Sequence, residues 1–402
     1  MPDLWQESAA GHYLNHKVVE ITAEATQPKT LRQLLMQLDA QNVTDYRRYE
    51  AVRKFLNFKA RDKAVPISGS FELTPLCNLD CKMCYVHLNK AQMHGMPLLT
   101  TEQWKDIMQQ AVDNGMMYAR LTGGECLTYP GFRELYLFLR EKGVETIILS
   151  NGILMDAEMC SFLQEHPPAA IQVTLYGASE DAYEHVTGHR SFSRVVENIR
   201  RLRDMNFPLS IAVTPNAFMT DGEAVIRFLQ QEGFHYSINA GIMQPREETG
   251  REVADAGLDT YIAMMKLRAS LKGMELAAEP DPESLPDTGC GKDCGAVGVT
   301  CGAGRSTFAI DWQGVMRPCN TFPCQGESVL IQDFSDAWRK THYTATHYPL
   351  PVECQGCAYQ GACKHCVAEH ASGAEPGHAS PAICAMGKRM VIEGLLTLQQ
   401  PE

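Results

Sequence analysis

The run Thr74-Pro75-Leu76-Cys77-Asn78-Leu79-Asp80-Cys81-Lys82-Met83-Cys84-Tyr85 decides how this chain is read. Three cysteines spaced C-x3-C-x2-C can hold three corners of a cubic 4Fe–4S cluster and leave the fourth iron without a protein ligand. An open iron can bind a small molecule and pass it an electron. Zinc is the competing reading, because C-x2-C pairs suit a tetrahedral ion and His87 lies near enough in sequence to be a fourth ligand.

Outward from the cysteines, short apolar segments alternate with amphipathic ones. Strands are expected at 68–73, 118–121, 146–149, 170–175, 209–213 and 236–240. Helices are expected at 101–114, 131–141, 157–165, 191–205, 222–232 and 258–271. This alternation predicts an α/β fold, a partial (β/α)6 TIM-like barrel with its active site at the C-terminal ends of the strands. The cysteine run follows the first strand, where such folds carry their chemistry. The second strand ends in Leu121-Thr-Gly-Gly-Glu-Cys126, whose glycines let backbone approach a ligand and whose Glu125 can accept hydrogen bonds from an ammonium group.

Residues 1–66 contain no cysteine and read as a helical extension, with Leu31, Leu34, Leu35 and Leu38 at helical spacing and Tyr46, Tyr49, Val52 and Leu56 following more loosely. A helical lid is the expectation, a substrate-docking module the alternative. Pro- and Gly-containing sequence at 279–289 marks a boundary, giving a core over 67–280 and a C-terminal domain over 281–402. Ten of the fifteen cysteines fall in 290–384, between short segments rich in turn residues. That pattern suits a domain organised by metal rather than by a deep core, with zinc ribbons as the competing reading.

The net charge of −12 over 402 residues argues against a nucleic-acid backbone or an anionic membrane as the main partner. Without a signal-peptide pattern or an apolar run long enough to span a bilayer, the chain is expected to be cytoplasmic. Fifteen cysteines in that compartment point to metal ligation, not disulfides. Cys160 and Cys324 fit no pattern and read as packed thiols, and Cys126 as a small hydrophobe.

With the cysteine triad and the Gly-Gly-Glu run one strand apart, the chain resembles the radical S-adenosylmethionine (SAM) superfamily. The resemblance implies that Cys77, Cys81 and Cys84 hold a 4Fe–4S cluster whose open iron is chelated by SAM. Reduction then yields a 5′-deoxyadenosyl radical that abstracts a substrate hydrogen. It places Gly123, Gly124 and Glu125 along the methionine amine. Ser150 and Asn151 of Leu149-Ser-Asn-Gly152 and Thr174 of Thr174-Leu-Tyr-Gly177 should also line SAM. Met83 replaces the usual aromatic residue before the third cysteine, with Tyr85 just after it, and Cys126 stands where proline is frequent.

The C-terminal cysteines resemble the SPASM extension, which carries two auxiliary 4Fe–4S clusters. Cys301-x12-Gly314-x4-Cys319 is followed by Cys354-x2-Cys357-x5-Cys363-x2-Cys366 and by Cys384, with x2 where the family has x3 before Cys366. By position, Cys301, Cys319 and Cys366 belong to the first auxiliary cluster, with Cys294 as fourth ligand, Cys290 as runner-up and Cys324 left open. Cys354, Cys357, Cys363 and Cys384 belong to the second.

Family members of this type imply oxidation or cross-linking of a ribosomally made peptide, with flavodoxin or ferredoxin as electron donor. A small-molecule dehydrogenase or ring-forming enzyme is the alternative, and a non-catalytic electron-transfer protein the reading from another class. Sulfatase-type maturases carry a basic aspartate after the cysteine matching Cys319; here Asn320 follows, an amide that cannot take a proton at neutral pH. Arg246 and Arg251 read equally as carboxylate binders and as surface ion-pair partners.

Overall fold

The computed structural model describes residues 31–40, 45–239, 257–274, 276, 298–299, 301–354, 357, 359, 366–371 and 373–395. Strands β1 (Ser68–Glu72), β2 (Tyr118–Thr122), β3 (Glu145–Ser150), β4 (Ala170–Thr174), β5 (Leu209–Val213) and β6 (Tyr236–Ile238) are parallel and adjacent in chain order. Between them run helices α3 (Thr101–Asp113), α4 (Phe132–Glu141), α5 (Ala157–Glu165), α6 (Glu180–Thr187), α7 (Phe192–Asp204) and α8 (Gly222–Gln231). This is the expected partial (β/α)6 barrel. Helices α1 (Leu31–Ala40) and α2 (Asp45–Lys63) precede it and α9 (Leu258–Leu271) follows.

Alternation along the strands explains why these segments are strands and what they enclose. Ala119 and Leu121 of β2, Ile148 of β3 and Ile171 and Val173 of β4 are buried in the main core beneath the helices. Their neighbours on the other face, among them Thr122, Ile147, Leu149, Gln172 and Thr174, are only partly buried. A closed eight-stranded barrel fills its interior with side chains. Here the inner face is a part-open trough.

The C-terminal third joins this sheet. Strand β7 (Thr307–Ile310) pairs in parallel with β1, and β8 (Val315–Arg317) and β9 (Glu327–Ser328) add antiparallel ribbons, giving nine strands in the order β6-β5-β4-β3-β2-β1-β7-β8-β9. Phe308 meets Phe71 of β1 edge-on at 5.9 Å and Phe334 of α10 (Phe334–His347) at 5.2 Å. Phe308, Ile310, Met316, Phe334 and Trp338 all lie in the main core. The expectation of a C-terminal domain without a deep core is therefore corrected for 307–338: aromatic and aliphatic residues at sheet and helix spacing bury it against β1. Beyond this come α11 (Val367–Ala371) and α12 (Pro381–Ile392), packed in smaller clusters.

The N-terminal helices sit at the opposite end of the barrel from the cysteine run. Tyr49 of α2 hydrogen-bonds Glu145, the first residue of β3, and Ala64 just past α2 accepts a 2.6 Å bond from the Trp338 indole N–H. Among the described residues no helix is long and apolar enough to cross a membrane.

Candidate active site

The cysteine loop leaves the C-terminal end of β1 and is held from three sides. From β2, the N–H groups of Gly124 and Glu125 donate to the carbonyls of Thr74 (2.7 Å) and Leu76 (2.9 Å). The glycines are required there. A Cβ on Gly123, whose φ is +146°, would lie 2.4 Å from the Thr74 oxygen, and one on Gly124 2.3 Å from the Leu76 oxygen. The Gly-Gly pair thus lets β2 press against the cysteine loop itself. From α6, the carbonyls of Thr187 and Val186 accept the N–H groups of Asp80 (2.9 Å) and Lys82 (3.0 Å). From β3, the Asn151 amide donates to Asn78 Oδ1 at 2.6 Å and reaches Cys77 Sγ at 3.6 Å.

The donor set fits a metal cluster. Backbone N–H groups of Leu79 and His87 donate to Cys77 Sγ (3.4 Å) and Cys84 Sγ (3.3 Å), as thiolates bound to iron require. Burial, reinforced by the Glu125 and Cys84 charges, pushes the Cys77 thiol up to about 12. A thiolate there needs a cation beside it. Asn78 Nδ2 is buried with no partner, a donor directed at a group the protein does not supply. The His87 ring, the fourth ligand of the zinc alternative, lies 3.4 Å from Asp80.

Glu125 is buried, and its carboxylate accepts from Asn151 N (2.7 Å), Ser150 Oγ (3.0 Å) and Leu127 N (3.2 Å). Burial still holds its carboxyl above the usual range, the three donors only partly opposing it. A ligand ammonium would restore its charge. Ser150 and Asn151 therefore act on the site through Glu125 and Asn78. Thr174 ends β4 on the trough face, part-exposed, while Met83 packs against the main core and Tyr85 is half-buried. Cys126 is buried with Sγ 3.3 Å from the Leu149 carbonyl, and Cys160 is buried against Met155, both thiols pushed up by burial as inert packed groups.

Two tyrosines also lie by the cysteines. Tyr176 and Tyr183 meet edge-on at 5.8 Å, both phenols feel the charge of Cys81, and the Tyr183 hydroxyl is buried without a partner. The strand-and-helix pattern assigns nothing to 178–190, so α6 and Tyr183 escape it. The signal was present: Ser179 caps Ala182 N, Glu180 and Asp181 fill the first turn, and Gly188 closes the helix at φ +73°.

The C-terminal thiols fall into two groups. Cys301, Cys324 and Cys366 each interact electrostatically with Cys319. Cys354, Cys357 and Cys384 interact among themselves, and burial with the Cys384 and Cys357 charges pushes Cys354 up to about 11. Cys324, left open as a candidate for the first group, packs with Cys319 against the same apolar cluster. Arg317, paired with buried Asp311, fixes that loop by donating to the Cys324 and Gln325 carbonyls. Asn320 donates at 2.6 Å to Glu72, a buried carboxylate at the end of β1. Cys290, Cys294, Cys363, Arg246 and Arg251 lie outside the described residues.

Residues 71–229 match the family model of the Radical SAM superfamily. Over 161 residues the chain is 29% identical to the sporulation killing factor maturation protein SkfB of Bacillus subtilis, a match covering 40% of this chain and only 38% of SkfB. Over 328 residues it is 22% identical to the AdoMet-dependent heme synthase of Methanosarcina barkeri, covering 74% of this chain and 90% of that one. Among solved structures it is similar in fold to Streptococcus suis SuiB bound to precursor peptide SuiA, with a TM-score of 0.59, 14% identity, and 87% and 86% of the two chains covered.

Proposed function

We propose that this chain, a radical SAM domain with a cysteine-rich C-terminal extension, cleaves SAM reductively and oxidises or cross-links a ribosomally made peptide. The observation that carries the reading is the clamp that seats Gly124 and Glu125 on the carbonyls of the cysteine loop. It brings the three thiols and the buried carboxylate to one end of the sheet. Cys77, Cys81 and Cys84 would hold the 4Fe–4S cluster, with Asn78 and Asn151 donating toward it, and Glu125 would receive the SAM ammonium. Bound there, cluster and SAM supply a carbon-centred radical able to take hydrogen from substrate. An extended segment would lie along the inner face of the sheet, where Thr122, Gln172 and Thr174 are only partly buried.

The peptide is favoured by the match to a maturation protein and by the fold shared with a peptide-bound structure. The C-terminal thiols would hold two auxiliary 4Fe–4S clusters that accept the electron left on substrate. Flavodoxin or ferredoxin would reduce the first cluster, and the many reduced thiols suit the cytoplasm. A small-molecule substrate is the second reading, because the heme synthase match covers most of both chains. The sulfatase-type reading is disfavoured: Asn320 spends its amide donor on Glu72 and offers no base.

Anaerobic incubation with SAM and dithionite should release 5′-deoxyadenosine, and Cys77→Ala should abolish it. Equal release from both proteins would sink the reading. Adding short peptides encoded beside the gene should then yield one that loses two hydrogens by mass spectrometry. Turnover only with a tetrapyrrole or another small molecule would replace the peptide with that class.

A further inference from the structure

The second group of C-terminal thiols is laced by a string of hydrogen bonds that runs from the loop before α12 to Cys354. Glu353 holds the loop before α12, accepting from Ala379 N at 2.9 Å and pairing with His378 at 2.8 Å. The next residue, Ser380, is buried and donates its backbone N–H to His370 Nδ1 at 3.0 Å. His370, also buried, turns its other ring nitrogen, Nε2, to Cys354 Sγ at 3.9 Å. Ser380 also accepts the N–H of Cys384, so α12 and its cysteine are fixed to the same string.

This geometry sets the tautomer. A backbone N–H can only donate, so His370 Nδ1 must be the acceptor and carries no proton. A neutral imidazole then bears its hydrogen on Nε2, the nitrogen facing sulfur, and an imidazolium would set two donors against each other at Ser380. Helix α11 therefore carries Cys366, which interacts with Cys319 of the first group, just before its start, and His370, which reaches the second group, on its fourth residue.

We propose that His370 is a positioning residue for the second auxiliary cluster, donating Nε2–H to the Cys354 sulfur and raising that cluster's reduction potential. The inference rests on the reading that Cys354 ligates a cluster. An N–H···S bond withdraws electron density from a thiolate ligand and favours the reduced cluster. That bias suits a cluster that receives the substrate's electron.

The test uses the full chain, reconstituted anaerobically, with Cys77, Cys81 and Cys84 changed to Ala so that only auxiliary clusters remain. Cys354→Ala should lower the iron count; an unchanged count overturns the cluster reading and this inference with it. If iron falls, His370→Leu should shift the midpoint of the Cys354-dependent cluster to more negative potential, and His370→Gln, which keeps an acceptor and a donor, should restore it. Resonance Raman of the oxidised parent in H2O and D2O gives a reading independent of variants, because an N–H···S bond moves the Fe–S stretch on deuteration. An unmoved stretch in the parent, or an unmoved midpoint in iron-replete His370→Leu, overturns the hydrogen bond while leaving the cluster in place.

Discussion

The two cysteine regions are built in opposite ways. The loop carrying Cys77, Cys81 and Cys84 is fixed by β2, β3 and α6, each supplying hydrogen bonds from outside it, and it rests on the main core. The thiols around Cys319 and Cys354 lean on small apolar clusters, Val299, Ala303, Phe322, Ala345 and Val367 for one and Tyr359 with Val391 for the other. On the proposed reading, the first site is shaped by protein before metal fills it, whereas metal would supply part of the packing around the second set of thiols.

The largest effect expected from this contrast is metal removal. Chelating iron from the holoprotein should abolish amide exchange protection across 301–303, 352–354 and 366–371 while β1 to β5 stay protected, measured by hydrogen–deuterium exchange. Equal loss in both regions would erase the distinction. Next comes Gly124→Ala. A methyl 2.3 Å from the Leu76 carbonyl must push the cysteine loop off β2, at a cost of about 3 kcal/mol, with loss of the first cluster and retention of the others. Urea melts and iron counts check it, and a stable variant with full iron would break the clamp argument.

The smallest effect concerns charge. Because burial raises the Glu125 carboxyl, the folded cofactor-free chain keeps a proton that the unfolded chain releases. Its contribution to stability is complete below the ordinary carboxylate value of about 4.3 and is lost as pH climbs through the raised one. Glu125→Gln should flatten the fall in urea midpoint between acid and neutral pH. Added SAM on the reconstituted wild type should do the same by holding the carboxylate ionised. Parallel slopes for variant and wild type would show that Glu125 does not titrate in this way.

The sequence was most legible where side chains repeat at a structural period. The six strands and most of the helices fall within a residue or two of their expected bounds, since alternation and helical spacing report burial directly. Cys77, Cys81, Cys84 and Glu125 stood out because their signal is local spacing, and the fold brings their segments together at one end of the sheet. Contacts made across the fold were not. Nothing in the Asn320 neighbourhood announces Glu72, 248 positions away in sequence. The Gly-Gly pair was read as room for a ligand, whereas the space is taken by the Thr74 and Leu76 carbonyls. Strand β7 was missed for a similar reason: Thr307–Ile310 is short, and only its partner β1 makes it a strand.

That partnership bears on how the chain is made. Strand β1 leaves the ribosome early, but β7, which covers its free side, follows about 240 residues later, roughly 10–50 s at ordinary synthesis rates. During that interval the nascent protein exposes an unpaired strand edge close to the cysteine run. Cells that make this protein therefore have reason to shield the emerging core until β7 covers that edge.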